Sequence, residues 1–207
     1  MSINNIYHNT PNYAAFYENK KVCLLGSGSS LLDHEIDYDK YDAVIGCNRI
    51  YKTKYYHHIN IHYHNLSRYD LITVQFLDYV NRFKNVKRVL FCPWYKPEDP
   101  TSLYTLSRSL DILPFKKYDF ANNLSVKVSQ FLWSGRPYTG LVALYHCMLH
   151  NPLSIDIYGF DFYERKETYV KEMPYYDLNA DNVHSVEANK RFFLKILNSV
   201  ENTNWFR

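Results

Sequence analysis

The sequence lacks the features that mark membrane-spanning, nucleic-acid-binding and disulfide-rich proteins. No apolar run approaches the roughly 18 residues of a membrane span, no signal peptide is recognisable, and no polybasic run accompanies the net charge of +3. The four cysteines are scattered without a C-x-x-C pair, so we expect Cys23 and Cys47, which lie in apolar runs, to be buried free thiols. We therefore expect a soluble, cytoplasmic protein that does not bind nucleic acid. Peripheral membrane contact through the basic and aromatic residues 195–207 stays open.

Length and patterning predict one α/β domain. The 207 residues contain 46% hydrophobic and 22% charged side chains, which is ordinary for a globular protein. Buried strands and amphipathic helices alternate along the chain, which is typical of a doubly wound, mainly parallel, twisted sheet with helices on both faces. The predicted strands are 20–25, 42–48, 59–64, 86–92 and 154–159, and the predicted helices are 71–83, 140–150 and 186–200. Residues 94–124 have no clear period, and the polar, Tyr-rich residues 164–182 suit a small flexible lid.

Residues 136–163 combine a small-residue turn, a helix and a buried strand. Thr139 and Gly140 lie where the helix begins, so its unpaired N–H groups and the positive end of its dipole are available there. Arg136 adds a positive charge just upstream. This arrangement suits an anion such as a phosphate or carboxylate. The strand 154–159 then places Gly159, Asp161 and Tyr163 at its carboxyl end, where open α/β sheets bind ligands. We expect Asp161 to cap the following turn.

A second candidate lies in the turn Gly26-Ser-Gly-Ser-Ser30, which follows the first predicted strand. Glycines let the backbone approach a phosphate, and hydroxyl groups add donors. Dinucleotide-binding proteins of the Rossmann type place an acidic residue at the end of the next strand, but this chain has Asn48 there. Asn48 therefore argues against a dehydrogenase that binds a dinucleotide at this turn. A methyltransferase, or a nucleotide-binding module without turnover, stays open.

Two groups of residues have the composition of metal sites. The stretch Asp37-Tyr-Asp39 has the form of a metal motif found in some glycosyltransferases, but it lies in a polar turn, and we expect a solvated loop. The histidines His57, His58, His62 and His64 are close in sequence. The last two alternate along one strand without cysteine or carboxylate support, so we expect a half-exposed strand and no zinc.

The order of these motifs resembles that of known enzymes. The chain is similar to the small bacterial sialyltransferases of glycosyltransferase family 42 and to the four sialylmotifs of the animal family 29 enzymes. The matching stretches are 21–31 with 42–48 (large motif), 138–144 through 157–161 (small motif), 175–176 (third motif) and 183–187 (very small motif). The resemblance implies a Rossmann-like, GT-A-like variant fold. It also implies inverting transfer of sialic acid from CMP-sialic acid to a glycan hydroxyl, with no metal or other cofactor.

The resemblance also assigns binding residues. The cytidine nucleotide of the CMP-sugar donor is expected at Gly26, Ser27, Gly28, Asn48 and Asn65. The family usually has Asn at the position of Ser27, so one nucleotide contact is altered here. The donor sugar and its carboxylate are expected beside Arg136, Tyr138, Thr139 and Gly140, with Gly159 at the neighbouring strand end.

The catalytic groups follow from the same resemblance. His184 matches the proposed catalytic base, and Tyr163 and Tyr169 match a tyrosine pair that contacts the leaving phosphate. Two tyrosine hydroxyls and Arg136 can stabilise the charge that develops on the departing oxygens. Ser185 is the predicted N-cap of the last helix, whose positive end disfavours an imidazolium at His184. Another CMP-activated keto sugar such as Kdo carries the same anomeric carboxylate, so the donor sugar stays open, as do the acceptor and the oligomeric state.

Overall fold

The structure is a computed structural model. It describes residues 14–48, 50, 53–63, 89–91, 137–162, 164, 185–199 and 201–207. The predicted helix 71–83, the segment 94–124 and all but the first residue of the predicted lid 164–182 lie outside the described residues. The single-domain extent with its lid therefore stays a prediction.

The described residues form six strands and three α-helices. The strands are β1 (Lys21–Leu25), β2 (Ala43–Cys47), β3 (Ile61–Tyr63), β4 (Val89–Phe91), β5 (Ser154–Tyr158) and β6 (Thr203–Phe206). The helices are α1 (Ala14–Tyr17), α2 (Thr139–Met148) and α3 (Val186–Leu197). Short 3₁₀ helices span Ser29–Asp33, Tyr38–Lys40 and Lys54–His58.

The strands make one sheet in the order β4-β3-β2-β1-β5-β6, and each neighbouring pair is parallel. The chain runs outward from β1 through β2, β3 and β4. It then returns to the other side of β1 with β5. The strand order therefore reverses between β1 and β5, which makes this junction the topological switch point of the sheet. The predicted α/β fold with a mainly parallel sheet is confirmed.

The sheet is covered on both faces. On one face, α2 packs across β1, β2 and β3, and the side chains of Val22, Leu24 and Ile45 join its buried residues in one apolar cluster with α3. On the other face, the side chains of Ile50 and Ile59 pack against the backbone of β2 at Gly46. Strands covered on both faces read as continuous apolar runs in the sequence, which is why β1 and β2 could be predicted.

β6 was not predicted from the sequence. This four-residue strand follows α3 and pairs with β5, so that Ile157 lies opposite Trp205. The ring of Trp205 packs against Phe193 at a centroid distance of 4.9 Å and against Phe162 at 6.0 Å. The C-terminal aromatic residues proposed for a membrane surface thus include one that packs against the core. No helix among the described residues is long and apolar enough to cross a membrane.

The description of the third strand as half-exposed was wrong. Ile61, His62 and Tyr63 are all buried, and His62 is only 1% exposed. Its Nε2–H donates to the main-chain oxygen of Asn48 at 2.7 Å. The imidazole is tolerated inside the sheet because this carbonyl satisfies it, so the alternation of polar residues did not mean exposure.

The predictions for Cys23, Cys47 and the turn that contains Asp37 agree with the fold. Cys23 and Cys47 are buried free thiols, and burial raises the pKa of each. The carboxylate of Asp37 caps the 3₁₀ turn that follows it, as expected of an exposed polar loop. Within the described ranges, no group of three or more histidine, cysteine or acidic side chains is placed to hold a metal ion.

A buried polar network joins α1, β3 and α2. The hydroxyl of Tyr17 is hydrogen-bonded to that of Tyr63 at 2.7 Å, and the Tyr63 hydroxyl is hydrogen-bonded to Nδ1 of His146 at 2.6 Å. Burial is the main cause that lowers the pKa of His146 to about 3, and the nearby His150 adds to it. The imidazole is therefore neutral in the folded protein at neutral pH.

We predict that His146 makes folding pH-dependent. Its pKa is about 3 in the folded state and about 6.5 in an unfolded chain. The contribution of the neutral His146 to the free energy of unfolding is therefore fully present above pH 6.5. It is lost as the pH falls, because the unfolded chain then binds a proton that the folded chain does not. Urea denaturation between pH 6.5 and 5 should show the free energy of unfolding falling more steeply in the wild type than in His146→Gln, by up to about 1.4 kcal/mol per pH unit.

The control for this experiment is His57→Gln, because His57 is exposed. Its pH dependence should match that of the wild type. Equal slopes for the wild type and His146→Gln would contradict the prediction.

Candidate active site

The candidate site lies at the carboxyl edge of the sheet, around the switch point. The loop Gly26–Ser30 follows β1, Asn48 follows β2 and Gly159 follows β5. The amino end of α2, at Thr139, lies against the loop after β5, as described below. The structure thus brings the described candidate residues to one edge, where open α/β sheets bind ligands.

The loops after β1 and β5 are in backbone contact. Gly26 N–H donates to the carbonyl of Tyr158 at 2.8 Å, and Gly28 N–H donates to that of Gly159 at 2.9 Å. A Cβ on Gly26 would lie 2.2 Å from the Gly159 oxygen, and one on Gly28 would lie 2.4 Å from an Asp161 carboxylate oxygen. Both glycines are therefore needed for this approach, whatever ligand binds there.

The same hydrogen bonds restrict how the loop could hold a nucleotide. The N–H groups of Gly26 and Gly28 are engaged with the loop after β5, so they are not open donors. No hydrogen bond joins Ser27 to another residue in the described ranges. A nucleotide contact through this loop stays a prediction, and it depends most on Ser27.

Asp161 ties the two loops together. Its carboxylate accepts hydrogen bonds from the Ser30 N–H at 2.9 Å, from the Ser30 hydroxyl and from the Ser29 hydroxyl at 3.4 Å. Both serines are buried. The carboxylate therefore satisfies the polar groups at the start of the 3₁₀ helix 29–33, although Asp161 is 131 residues further along the chain.

Asn48 has a backbone that suits its residue type. Its φ is +48°, in the left-handed region that Asn enters more readily than most residues. Its carbonyl accepts the hydrogen bond from His62, so β2 and β3 are joined at their carboxyl ends. The position of Asn48 is thereby fixed beside the predicted nucleotide site.

The amino end of α2 is packed into the same junction. Tyr138 is the N-cap residue, and Thr139 and Gly140 are the first two residues of the helix. Both are buried, and a Cβ on Gly140 would lie 2.6 Å from the ring of Phe160. No hydrogen bond joins the N–H of Thr139 or Gly140 to another described residue, which agrees with the donors expected in the first turn.

The amino end of α3 is linked to α2. Ser185 is the N-cap, as predicted, and its hydroxyl accepts from the Ala188 N–H at 3.2 Å. Asn189, which is fully buried, accepts from the Tyr138 N–H at 2.8 Å and donates to the Ser185 carbonyl at 2.8 Å. Lys190 forms an ion pair with Glu164, which joins α3 to the loop after β5.

Five predicted site residues, Asn65, Arg136, Tyr163, Tyr169 and His184, lie outside the described residues, so their roles stay predictions. Asp161 was expected to cap the turn that follows it, whereas its carboxylate accepts from Ser29 and Ser30 in the loop after β1. Sequence reasoning gave no role to Asn189. A signal for Asn189 was present: it lies three, four and seven residues before Phe192, Phe193 and Ile196, on the apolar stripe of its helix. A polar residue at such a position is unusual and calls for a partner.

Several solved sialyltransferase structures share this arrangement of strands and helices. For CstII of Campylobacter jejuni in complex with cytidine-5'-monophosphate, the alignment covers 91% of this chain and 80% of CstII, with a TM-score of 0.58 and 19% sequence identity. For the monofunctional α-2,3-sialyltransferase Cst-I of Campylobacter jejuni, the shares are 90% and 75%, with a TM-score of 0.59 and 19% identity. The chain has the fold of these sialyltransferases.

A third structure, CstII of Campylobacter jejuni with the substrate analogue CMP-3FNeuAc, gives the same result. The alignment covers 90% of this chain and 81% of CstII, with a TM-score of 0.59 and 16% identity. No family model matches the chain, and no curated protein matches it in sequence. The fold that the ordered motifs implied is confirmed.

We predict that Asp161 holds the loop after β1 in place. In Asp161→Ala, the buried Ser30 N–H loses its acceptor, and the free energy of unfolding should fall by about 1–3 kcal/mol. In Asp161→Asn, the loss should be smaller, because the amide oxygen can still accept from this N–H. Urea denaturation measures both variants.

The matched control is Asp39→Ala, the same change at an exposed position. It should alter the free energy of unfolding by less than about 0.5 kcal/mol. If Asp161→Ala were no less stable than this control, the carboxylate would not hold the loop.

Proposed function

We propose that this chain is a glycosyltransferase that moves sialic acid from CMP-sialic acid to a hydroxyl group of a glycan acceptor. The reaction inverts the anomeric centre and uses no metal. One observation carries the proposal: the loops after β1 and β5 and the amino end of α2 meet at the switch point of a fold shared with sialyltransferases solved with CMP or a CMP-sugar analogue. The stretches 21–31 and 138–161, which resemble parts of the large and small sialylmotifs, include these same elements.

The amino end of α2 suits the negative charge of the donor. The N–H groups of Thr139 and Gly140 lie at the positive end of a ten-residue helix. Arg136, three residues before Thr139, supplies a full positive charge in the proposed site. A carboxylate on the anomeric carbon and a phosphate beside it are the anions that such a site would bind. Asn48, Asn65 and the loop Gly26–Gly28 would hold the cytidine nucleotide.

Departure of CMP from a tertiary anomeric carbon requires stabilisation of charge on the phosphate oxygens. In the proposal, the hydroxyls of Tyr163 and Tyr169 donate hydrogen bonds to these oxygens. Tyr163 immediately follows Phe162, whose backbone has a φ of +48° and whose ring is buried against Phe193 and Trp205.

His184 is the proposed base that accepts the proton of the acceptor hydroxyl. It directly precedes Ser185, the N-cap of α3. A positive helix end disfavours an imidazolium, so the ring would be neutral near pH 7 and able to accept a proton. The acceptor oxygen then attacks the anomeric carbon as the bond to CMP breaks.

The proposal is tested by the release of CMP. Purified protein is incubated with CMP-sialic acid or CMP-Kdo, alone and with oligosaccharides that end in galactose, glucose or sialic acid. We expect CMP-sialic acid to be consumed, faster when an acceptor is present. Preference for CMP-Kdo would change the sugar and keep the chemistry. In thermal-shift measurements, stabilisation by S-adenosylmethionine without stabilisation by CMP would overturn the proposal in favour of a methyltransferase.

We predict that His184→Ala keeps CMP binding and loses transfer. Loss of a general base should lower kcat by on the order of 10²-fold or more, while the Kd for CMP, measured by calorimetry, stays within about threefold. The control is His57→Ala, at an exposed histidine in the 3₁₀ helix 54–58. An unchanged kcat in His184→Ala would exclude His184 as the base.

A further inference from the structure

Asn189 is a buried polar residue on an apolar helix face. It is fully buried, in the same stripe of α3 as Phe192, Phe193 and Ile196. An amide placed there without hydrogen bonds would cost on the order of 1–3 kcal/mol. A leucine of nearly the same size would cost nothing of this kind. The presence of an amide at position 189 is therefore explained by its hydrogen-bond partners.

Two hydrogen bonds join the side-chain amide of Asn189 to the main chain of described residues, and they fix the direction of the amide. The oxygen accepts from the N–H of Tyr138 at 2.8 Å, and the nitrogen donates to the carbonyl of Ser185 at 2.8 Å. A main-chain N–H can only donate and a carbonyl can only accept, so rotating the amide by 180° would break both bonds. The side chain therefore specifies one arrangement of two backbone segments.

These two segments are the starts of helices that carry different parts of the proposed reaction. Tyr138 is the N-cap of α2, whose first turn is the proposed donor site, and Ser185 is the N-cap of α3, directly after the proposed base His184. Further along, α2 and α3 meet through the rings of Tyr145 and Phe192, with a centroid distance of 6.1 Å. Apolar ring contacts tolerate small shifts, whereas a pair of hydrogen bonds does not.

We propose that Asn189 is a positioning residue that holds the start of α3 in register with the start of α2, and thereby aligns His184 with the bound donor. This role rests on the proposed function. Binding of the donor depends only on the start of α2. Transfer depends on the relative position of the starts of α2 and α3, because a misplacement of about 1 Å between reacting groups can cost on the order of 10²-fold in rate.

The test is Asn189→Leu, which keeps the size of the side chain and suits the apolar stripe. The experiment compares transfer from CMP-sialic acid to the best acceptor of the screen above with hydrolysis of the same donor without acceptor. Departure of CMP from a tertiary carbon does not require the base, so hydrolysis should change by less than about threefold. Transfer should fall by about 10- to 100-fold, with the Kd for CMP within about threefold.

Two controls separate positioning from stability. Asn198→Leu makes the same change at the exposed C-cap of α3, and it should leave the ratio of transfer to hydrolysis unchanged. Ile196→Ala removes buried apolar volume from α3, so it should lower the melting temperature without changing this ratio. If Asn189→Leu does not fold, Asn189→Ala replaces it.

A ratio in the Asn189 variant equal to that of the wild type would overturn the positioning role while leaving the proposed function intact. A wild-type protein that released no CMP from CMP-sialic acid, with or without acceptor, would overturn the proposed function and this role with it. A fall in transfer and hydrolysis by the same factor would show a general loss of the site and would also overturn the role.

Discussion

The loops that follow β1 and β5 approach each other so closely that no side chain fits between their backbones. The Gly159 oxygen lies where a Cβ of Gly26 would be, and Asp161 fills the corresponding space at Gly28. Parallel neighbours in a sheet usually diverge at their carboxyl ends and leave a crevice there. Here the floor of that crevice is closed by hydrogen bonds between the two loops. Other parts of the candidate site are placed relative to this contact.

The loop after β5 also packs against two helices. Phe160 packs on Gly140 at the start of α2. Phe162 packs on Phe193 of α3, and its φ of +48° is a strained backbone conformation for a bulky residue. Such a conformation costs on the order of 1–3 kcal/mol and persists only where the surroundings enforce it. The burial of the Phe162 ring between α3 and β6 provides that enforcement, so β6 supports the site although it carries none of the predicted site residues.

Local patterns predicted the parts of this fold that depend on residues close together in the sequence. The apolar runs of β1 and β2, the helix that begins at Thr139 and the N-cap at Ser185 were all readable from a few adjacent residues. β6 was not readable, because Thr203-Asn-Trp-Phe206 has no apolar run and becomes a strand only by pairing with β5. The His62 environment was misread for a similar reason: its partner is the carbonyl of Asn48, which no periodicity reveals. Contacts between residues far apart in the chain decide both cases.

Several polar side chains in the described part of the chain join groups of separate elements. His146 and Tyr63 join α2 to β3, Asp161 joins the two loops, and Asn189 joins the starts of two helices. A satisfied buried hydrogen bond adds little net stability, about 0.5–1.5 kcal/mol, but its geometry is narrow. Apolar packing could hold the same elements together with a range of relative positions. The polar links select one of these positions, which matters most where two helices must present different groups to one substrate.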